Sequence, residues 1–341
     1  MKGISASKII SSGLKIILPL FAAGMILWWM YRDFDWEELR RALSYEMNWT
    51  WMWLSMPFGV LAQVFRALRW RQTLVPLGER PRVHTCINAI FMSYASSLVV
   101  PRVGEVLRCG LLRRYEQTPF TKALGTVVTE RMVDSILILL LAMISVLLQI
   151  KVFMVFFAET GVSIEGLFGR FTMAGFWVTV ASILAILVLV LILAYKLAWF
   201  SKTKNLFRDI LDGILSLRKL KNIPLYLFYS IGIWVAYFLH FYLTFYSFTF
   251  TSGLGASAAL VAFIVGCFAV LVPTPNGAGP WHFAVKTVLV LYGVAAQQGV
   301  MFVLVVHTLQ TLLVLLLGVY ALLAFVWTKP KEKHEANMIE S

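Results

Sequence analysis

Residues 129–150 read TERMVDSILILLLAMISVLLQI. From Met132 to Ile150 the run is almost wholly apolar, and as a helix rising ~1.5 Å per residue it nearly spans a hydrocarbon layer of ~30 Å. Comparable runs occupy 12–31, 49–68, 171–195, 223–248 and 299–327. The whole chain follows the same bias: 60% of its 341 residues are apolar and 14% charged. Mean hydropathy is +0.80. An ordinary soluble domain has roughly 45–50% apolar and about 25% charged residues, so a soluble enzyme is excluded as the starting class. The expected fold is an all-α polytopic integral membrane protein, with residues 1–328 as one transmembrane domain and 329–341 as a short polar cytoplasmic tail. Lys2, Lys8 and Lys15 precede the first run, but its far end, Leu27-Trp28-Trp29-Met30-Tyr31, offers no small-residue cleavage site. An uncleaved first span is expected.

Two further apolar stretches are interrupted. Residues 84–100 run into Pro101-Arg102-Val103-Gly104-Glu105 and a short amphipathic piece ending at Arg113-Arg114. Residues 256–272 run into Pro273-Thr274-Pro275-Asn276-Gly277-Ala278-Gly279, followed by 281–295. Both have the pattern of a helix–break–helix hairpin. About six full spans and two broken hairpins result, or eight spans if both hairpins cross. If each hairpin returns to its own side, the two enter from opposite faces, as an inverted repeat does, and the breaks line a cavity, because non-helical backbone at membrane depth needs protein or water around it. Ordinary loops near the headgroups are the alternative.

The net charge of +13 comes from 30 Lys and Arg against 17 Asp and Glu. With the N-terminus inside, the inner segments carry 22 Lys and Arg and the outer ones 5. This places both termini inside and assigns most of the positive charge to topology, with no nucleic-acid partner implied. Residues 33–48 read as an interfacial helix outside, and 201–222 as a basic amphipathic helix on the inner surface. Cys86, Cys109 and Cys267 form no CxxC pair and are expected to be buried free thiols, with no disulfide framework or zinc site.

Ionisable groups within apolar segments are costly, which makes them the first candidates for function. Arg66, Arg69 and Arg71 close the second run as FRALRWR, either snorkelling to the headgroups or grouping as a phosphate-binding cluster. In PRVGEVLR, Pro101 and Gly104 break the helix, and Glu105 and Arg108 stand at i, i+3 where they can pair or meet a headgroup. Glu130, Arg131 and Asp134 sit at the mouth of the 132–150 run and can bridge to the arginines as an ion-pair network, or act on substrate or protons. In PTPNGAGPWHFAVK, Pro273, Pro275, Asn276, Gly277 and Gly279 form a break from which a helix near Pro280 points free N–H groups back, a place for an anion. His282 and Lys286 lie at i, i+4 on that helix, and His307 and Gln310 at i, i+3 in the last run. His240, among Phe and Tyr, reads as a packing or interhelical hydrogen-bonding residue. No serine-nucleophile elbow, P-loop, dinucleotide fingerprint or HExxH is present, and the histidines lack a third metal ligand of obvious spacing. No catalytic centre, metal or cofactor is expected.

With FRALRW, PRVGEVLR, TERMVD and PTPNGAGPW in this order, the chain resembles the transmembrane region of bacterial lysylphosphatidylglycerol synthases, a flippase-like family that also occurs as stand-alone proteins. The resemblance implies movement of a lipid headgroup between leaflets of the bacterial inner membrane. It does not imply lysyltransferase activity, because the cytoplasmic synthase domain of two-part members has no counterpart in a chain ending 13 residues after the last span. Where the family's late motif commonly ends in glutamate, this sequence has His282, which implies a different, more anionic or glycosylated headgroup.

The expected function is translocation of a phospholipid or lipid-linked headgroup, with membrane lipids as partners. The alternatives are a membrane anchor or regulatory subunit of a separately encoded lipid-modifying enzyme, and a headgroup transferase.

Overall fold

The computed structural model describes residues 24–32, 34–149, 220–272 and 274–331, together with Phe21 and Leu217. The 171–195 run, most of the basic 201–222 segment, Pro273, the start of the 12–31 run and the tail beyond 331 lie outside the described residues. All regular structure among the described residues is helical. A short helix α1 (Trp36–Arg41), capped by Asp35 accepting from the amides of Glu37 and Glu38, runs into a π-turn over Ala42–Glu46 where one interfacial helix was expected.

The long helices are α2 (Trp49–Leu74), α5 (Phe120–Leu148), α6 (Ile223–Tyr242, prolonged by a 3-10 turn over Leu243–Ser247) and α10 (Ala296–Trp327). Three of these, 120–148, 223–247 and 296–327, are long and apolar enough to cross a membrane. α2 is 26 residues, about 39 Å at ~1.5 Å per residue, but its arginines lower its hydropathy. Ile136, Leu140, Met143 and Leu147 on α5, and Leu312, Leu316, Val319 and Leu323 on α10, are exposed at helical spacing. Such faces are stable against lipid and not against water. The protein is therefore an all-α polytopic membrane protein.

Between the long helices lie two helical hairpins. The first joins α3 (Val83–Ser97) to α4 (Val103–Glu116), and the second joins α8 (Gly255–Ala269) to α9 (Pro280–Leu291), after a four-residue turn of helix α7 (Thr249–Ser252). The longest arms have 15 residues, about 22 Å, short of a ~30 Å hydrocarbon layer. Each hairpin therefore dips in and returns to its own end. The first is rooted where α2 ends and α5 begins, an end rich in Arg and Lys. The second is rooted at the other end, where the amide of Asn48 donates to the Ser247 carbonyl. Their tips meet inside the bundle: Arg102 donates from Nη2 to the Leu271 carbonyl at 3.1 Å.

Close packing holds the first hairpin. A Cβ on Gly104 would lie 1.9 Å from the Ser93 carbonyl oxygen, so only glycine lets α4 approach α3 this closely. Cys86 and Cys109, both buried, face a shared core with Trp70, Leu74, Leu112 and Phe325, while Cys267 is only partly buried. At the root, Glu116 accepts from Thr85 Oγ1 at 2.6 Å and Arg82 Nε at 2.7 Å, and Arg82 also donates to the Tyr115 and Lys329 carbonyls. Burial works to raise the Glu116 pKa, but the hydrogen bonds from Thr85 and Arg82 outweigh it and hold the carboxyl below its ordinary value. This stabilisation is complete at neutral pH and is lost only as the pH falls through that lowered value.

Two tests follow from this packing. Gly104→Ala should destabilise by about 2–3 kcal/mol through overpacking, whereas Gly110→Ala on the same helix, with nothing within 4 Å of its Cβ, should be neutral or stabilising by about 0.5–1 kcal/mol. Arg82→Ala should cost about 2–3 kcal/mol by leaving a buried carboxylate short of donors. Thermal unfolding of the purified protein in detergent reads all three.

Candidate functional site

Helical spacing builds the site from three elements. Arg66 and Arg69 share one face of α2, and Glu130 and Asp134 share the facing side of α5. Arg66 Nη1 donates to Glu130 Oε1 at 2.6 Å and Asp134 Oδ2 at 2.7 Å; Arg69 Nη2 donates to Asp134 Oδ1 at 2.7 Å. From α4, Arg108 Nη1 donates to Glu130 Oε2 at 2.9 Å, and its guanidinium lies 4.6 Å from the centre of the Trp70 ring. Trp70 is itself fixed by a 3.0 Å bond from Nε1 to Thr126 Oγ1. Arg131 closes the rim, with Nη2 3.1 Å from Glu130 Oε1 and Nε 3.3 Å from Glu105 Oε1.

Two sequence expectations change here. α5 begins at Phe120, so Glu130, Arg131 and Asp134 lie about 15–21 Å along the helix and not at its mouth. α2 continues to Leu74, so Arg66 and Arg69 point into the protein instead of snorkelling to the headgroups. Arg66, Arg69 and Arg108 thus drop out of the 22 charges assigned to topology. Glu105 and Arg108 do not pair with each other; each reaches across to α5.

The network walls a chamber of about 450 Å³ between the two hairpin tips. Arg66, Arg102, Arg108 and Arg131 line it with Glu105, alongside Ser93, Tyr94, Ser97 and Pro101 from the first hairpin and Thr274, Asn276 and Gly277 from the second. The buried centre holds three arginines against two carboxylates, an excess of positive charge. Arg108 is 1% exposed, and its Nε and Nη2 find no hydrogen-bond partner among the described residues. A guanidinium that borders a cavity and has hydrogen-bonding capacity to spare is chemically suited to a phosphate or carboxylate.

A smaller chamber of about 180 Å³ adjoins it, sharing Tyr94, Val270 and Asn276 and continuing past His240, Trp281, His307 and Gln310. Asn276, at a left-handed φ of 51°, donates from Nδ2 to Thr311 Oγ1 at 2.7 Å and accepts from His307 Nε2 at 3.0 Å. His240 bonds the Ser55 carbonyl through Nδ1 at 2.8 Å, the interhelical role read from sequence, and Gln310 donates to the His240 carbonyl at 3.3 Å. The His282 and His307 rings stand 4.4 Å apart. No group of three His, Cys, Asp or Glu among the described residues is placed to hold a metal.

The remaining candidates are not brought to the chamber. Arg69 stands behind it, and Gly104 serves packing. Lys286 Nζ lies 5.9 Å from the Trp29 ring centre. The break was expected to present free amides to an anion, yet the Gly279 amide donates to His282 Nδ1 at 3.3 Å. Pro275 opens the 3-10 turn Pro275–Gly277, and Gly279 turns the chain into α9 at φ 89°. Sequence reasoning left Arg102, Tyr94 and Tyr237 off the candidate set. Arg102 stood within the quoted motif, and its charge between Pro101 and Gly104 was the available signal. Tyr94 and Tyr237 share a 2.9 Å bond between hydroxyls, and the Arg66 guanidinium lies 6.0 and 5.9 Å from their ring centres; nothing in their local sequence marks them.

Opposed broken hairpins around a cationic chamber define a polytopic membrane protein with a charged interior. The family model described as Lysylphosphatidylglycerol synthase TM region matches residues 16–318, and the chain belongs to that family. No curated protein and no solved structure matches the chain. The family suggests a membrane-embedded, lipid-related function.

Glu130 holds the centre of the network and Arg131 its half-exposed rim. Glu130→Gln should lower stability by about 3–5 kcal/mol, since it leaves buried arginines short of a counter-charge. Arg131→Ala, with a side chain 44% exposed, should cost no more than about 1 kcal/mol. Unfolding in detergent, followed by tryptophan fluorescence, compares the two.

Proposed function

We propose that this protein translocates a phospholipid or lipid-linked headgroup between the leaflets of the bacterial inner membrane, with both termini inside. The single observation behind this reading is the chamber at the meeting of the hairpin tips, lined by Arg66, Arg102, Arg108 and Arg131 with Glu105 as the one carboxylate among its described lining residues. Arg66 and Arg108 meet the phosphate, Glu105 and Arg131 form the rim through which it passes, and Glu130 and Asp134 hold the arginines at fixed spacing. The Asn276–His307 chamber receives the headgroup from the second hairpin's side. The residues in view supply no nucleotide-binding motif, so a gradient or mass action drives the exchange.

Reconstitution tests this directly. Proteoliposomes carrying labelled phospholipids and glycolipids should show protein-dependent redistribution between leaflets under a proton or potential gradient. Arg108→Gln should slow it by roughly 10–100-fold, the worth of a charge-assisted hydrogen bond. Redistribution that fails for every lipid, or is indifferent to Arg108→Gln in a folded variant, overturns the reading.

A further inference from the structure

We infer that the seam between α2 and α6 is a separate binding site for one anionic phospholipid, held by its headgroup at the basic end and by an acyl chain along the helices. Among the described residues the site shares no lining residue with the central chamber, and it stands or falls independently of translocation.

Two cavities lie on this seam. One, of about 290 Å³, is lined at the basic end by Arg71, Arg80 and Lys221, with no carboxylate among its described lining residues. The other is a groove of about 400 Å³ whose described lining residues are all apolar side chains and Gly232. They follow the same helical faces. On α2 the groove positions Leu61 and Phe65 continue at helical spacing into Leu68 and Gln72 of the cationic pocket. On α6, Leu225 of the pocket is followed by Phe228, Gly232 and Val235 of the groove. The ten helical steps from Leu225 to Val235 rise about 15 Å, the depth of one leaflet's hydrocarbon.

A phospholipid matches this sequence of environments: charge at one end, then a continuous apolar slot. The unbalanced charge selects an anionic headgroup over a zwitterionic one. Gln72 on the pocket wall is held by a 2.7 Å bond from Nε2 to the Asn222 carbonyl. Phosphatidylglycerol, a singly charged anionic phospholipid, is the probe. Phe65 forms the back of the slot, edge-on to Phe228 with ring centres 5.7 Å apart.

The test uses the full chain with a photo-crosslinking benzoylphenylalanine in place of Val235, which is 50% exposed on the groove. The protein is placed in nanodiscs of phosphatidylcholine with increasing amounts of phosphatidylglycerol. Capture of phosphatidylglycerol at a low mole fraction is expected. The mole fraction for half-maximal capture should rise roughly 30-fold in Arg80→Gln/Lys221→Gln, as about 1 kcal/mol per basic side chain requires. Equal capture of both lipids, a midpoint unmoved by the double substitution, or cross-linking to another segment of the chain instead of lipid each overturns the proposal. Both substituted side chains lie outside the buried network, and an unchanged melting temperature verifies that the variant is folded.

Discussion

A charge removed from water must meet an opposite charge in fixed geometry, or the fold does not tolerate it. Arg66, Arg69 and Arg108 meet this condition only because Glu130 and Asp134 stand one helical turn apart on α5. The two carboxylates join three chain segments: a long helix, the second arm of the first hairpin and a membrane span. Once that junction is set, α4 cannot slide along α5 without uncovering an arginine, and the tip of the first hairpin is held at a fixed depth. The chamber follows from this. It is the space left where a hairpin anchored by charge meets one anchored by packing of Val285, Leu289 and Phe302.

The two halves of the bundle use different physics. Around the second hairpin the core is apolar and aromatic, with Phe241, Phe245 and Phe302 in edge contacts. Around the first it is polar at the centre, and tryptophan and tyrosine rings flank the guanidinium groups. In a membrane the hydrophobic effect does not favour one apolar helix surface over another, so close approach and polar contacts carry the specificity. Gly104 against Ser93 and the arginine network are the two forms of this in the first hairpin.

Much of the architecture was legible in the sequence. The breaks at Pro101–Gly104 and Pro275–Gly279 stand out because proline and glycine interrupt otherwise apolar runs. The meeting of TERMVD with FRALRW was legible as chemistry, since such charges need partners. Depth was less so: hydropathy put the start of the span at Met132, whereas α5 extends twelve residues upstream through Thr, Gly and Lys that the protein's interior and its basic end accommodate. Arg69 and Gly104 had the right residue types for a site, but one supports the network from behind and the other makes room for a backbone. Tyr94 and Tyr237 were invisible because their meeting depends on α3 and α6 crossing, which no local pattern encodes.

The buried thiols of the first hairpin bear on its chemistry in solution. Cys86 and Cys109 sit on opposite arms within one apolar core, sealed from both aqueous phases. An alkylating reagent can reach neither sulfur until the arms part. Their modification rate is therefore set by the opening equilibrium of the hairpin and not by the side of the membrane from which the reagent is added, which makes this cysteine pair a native gauge of local unfolding.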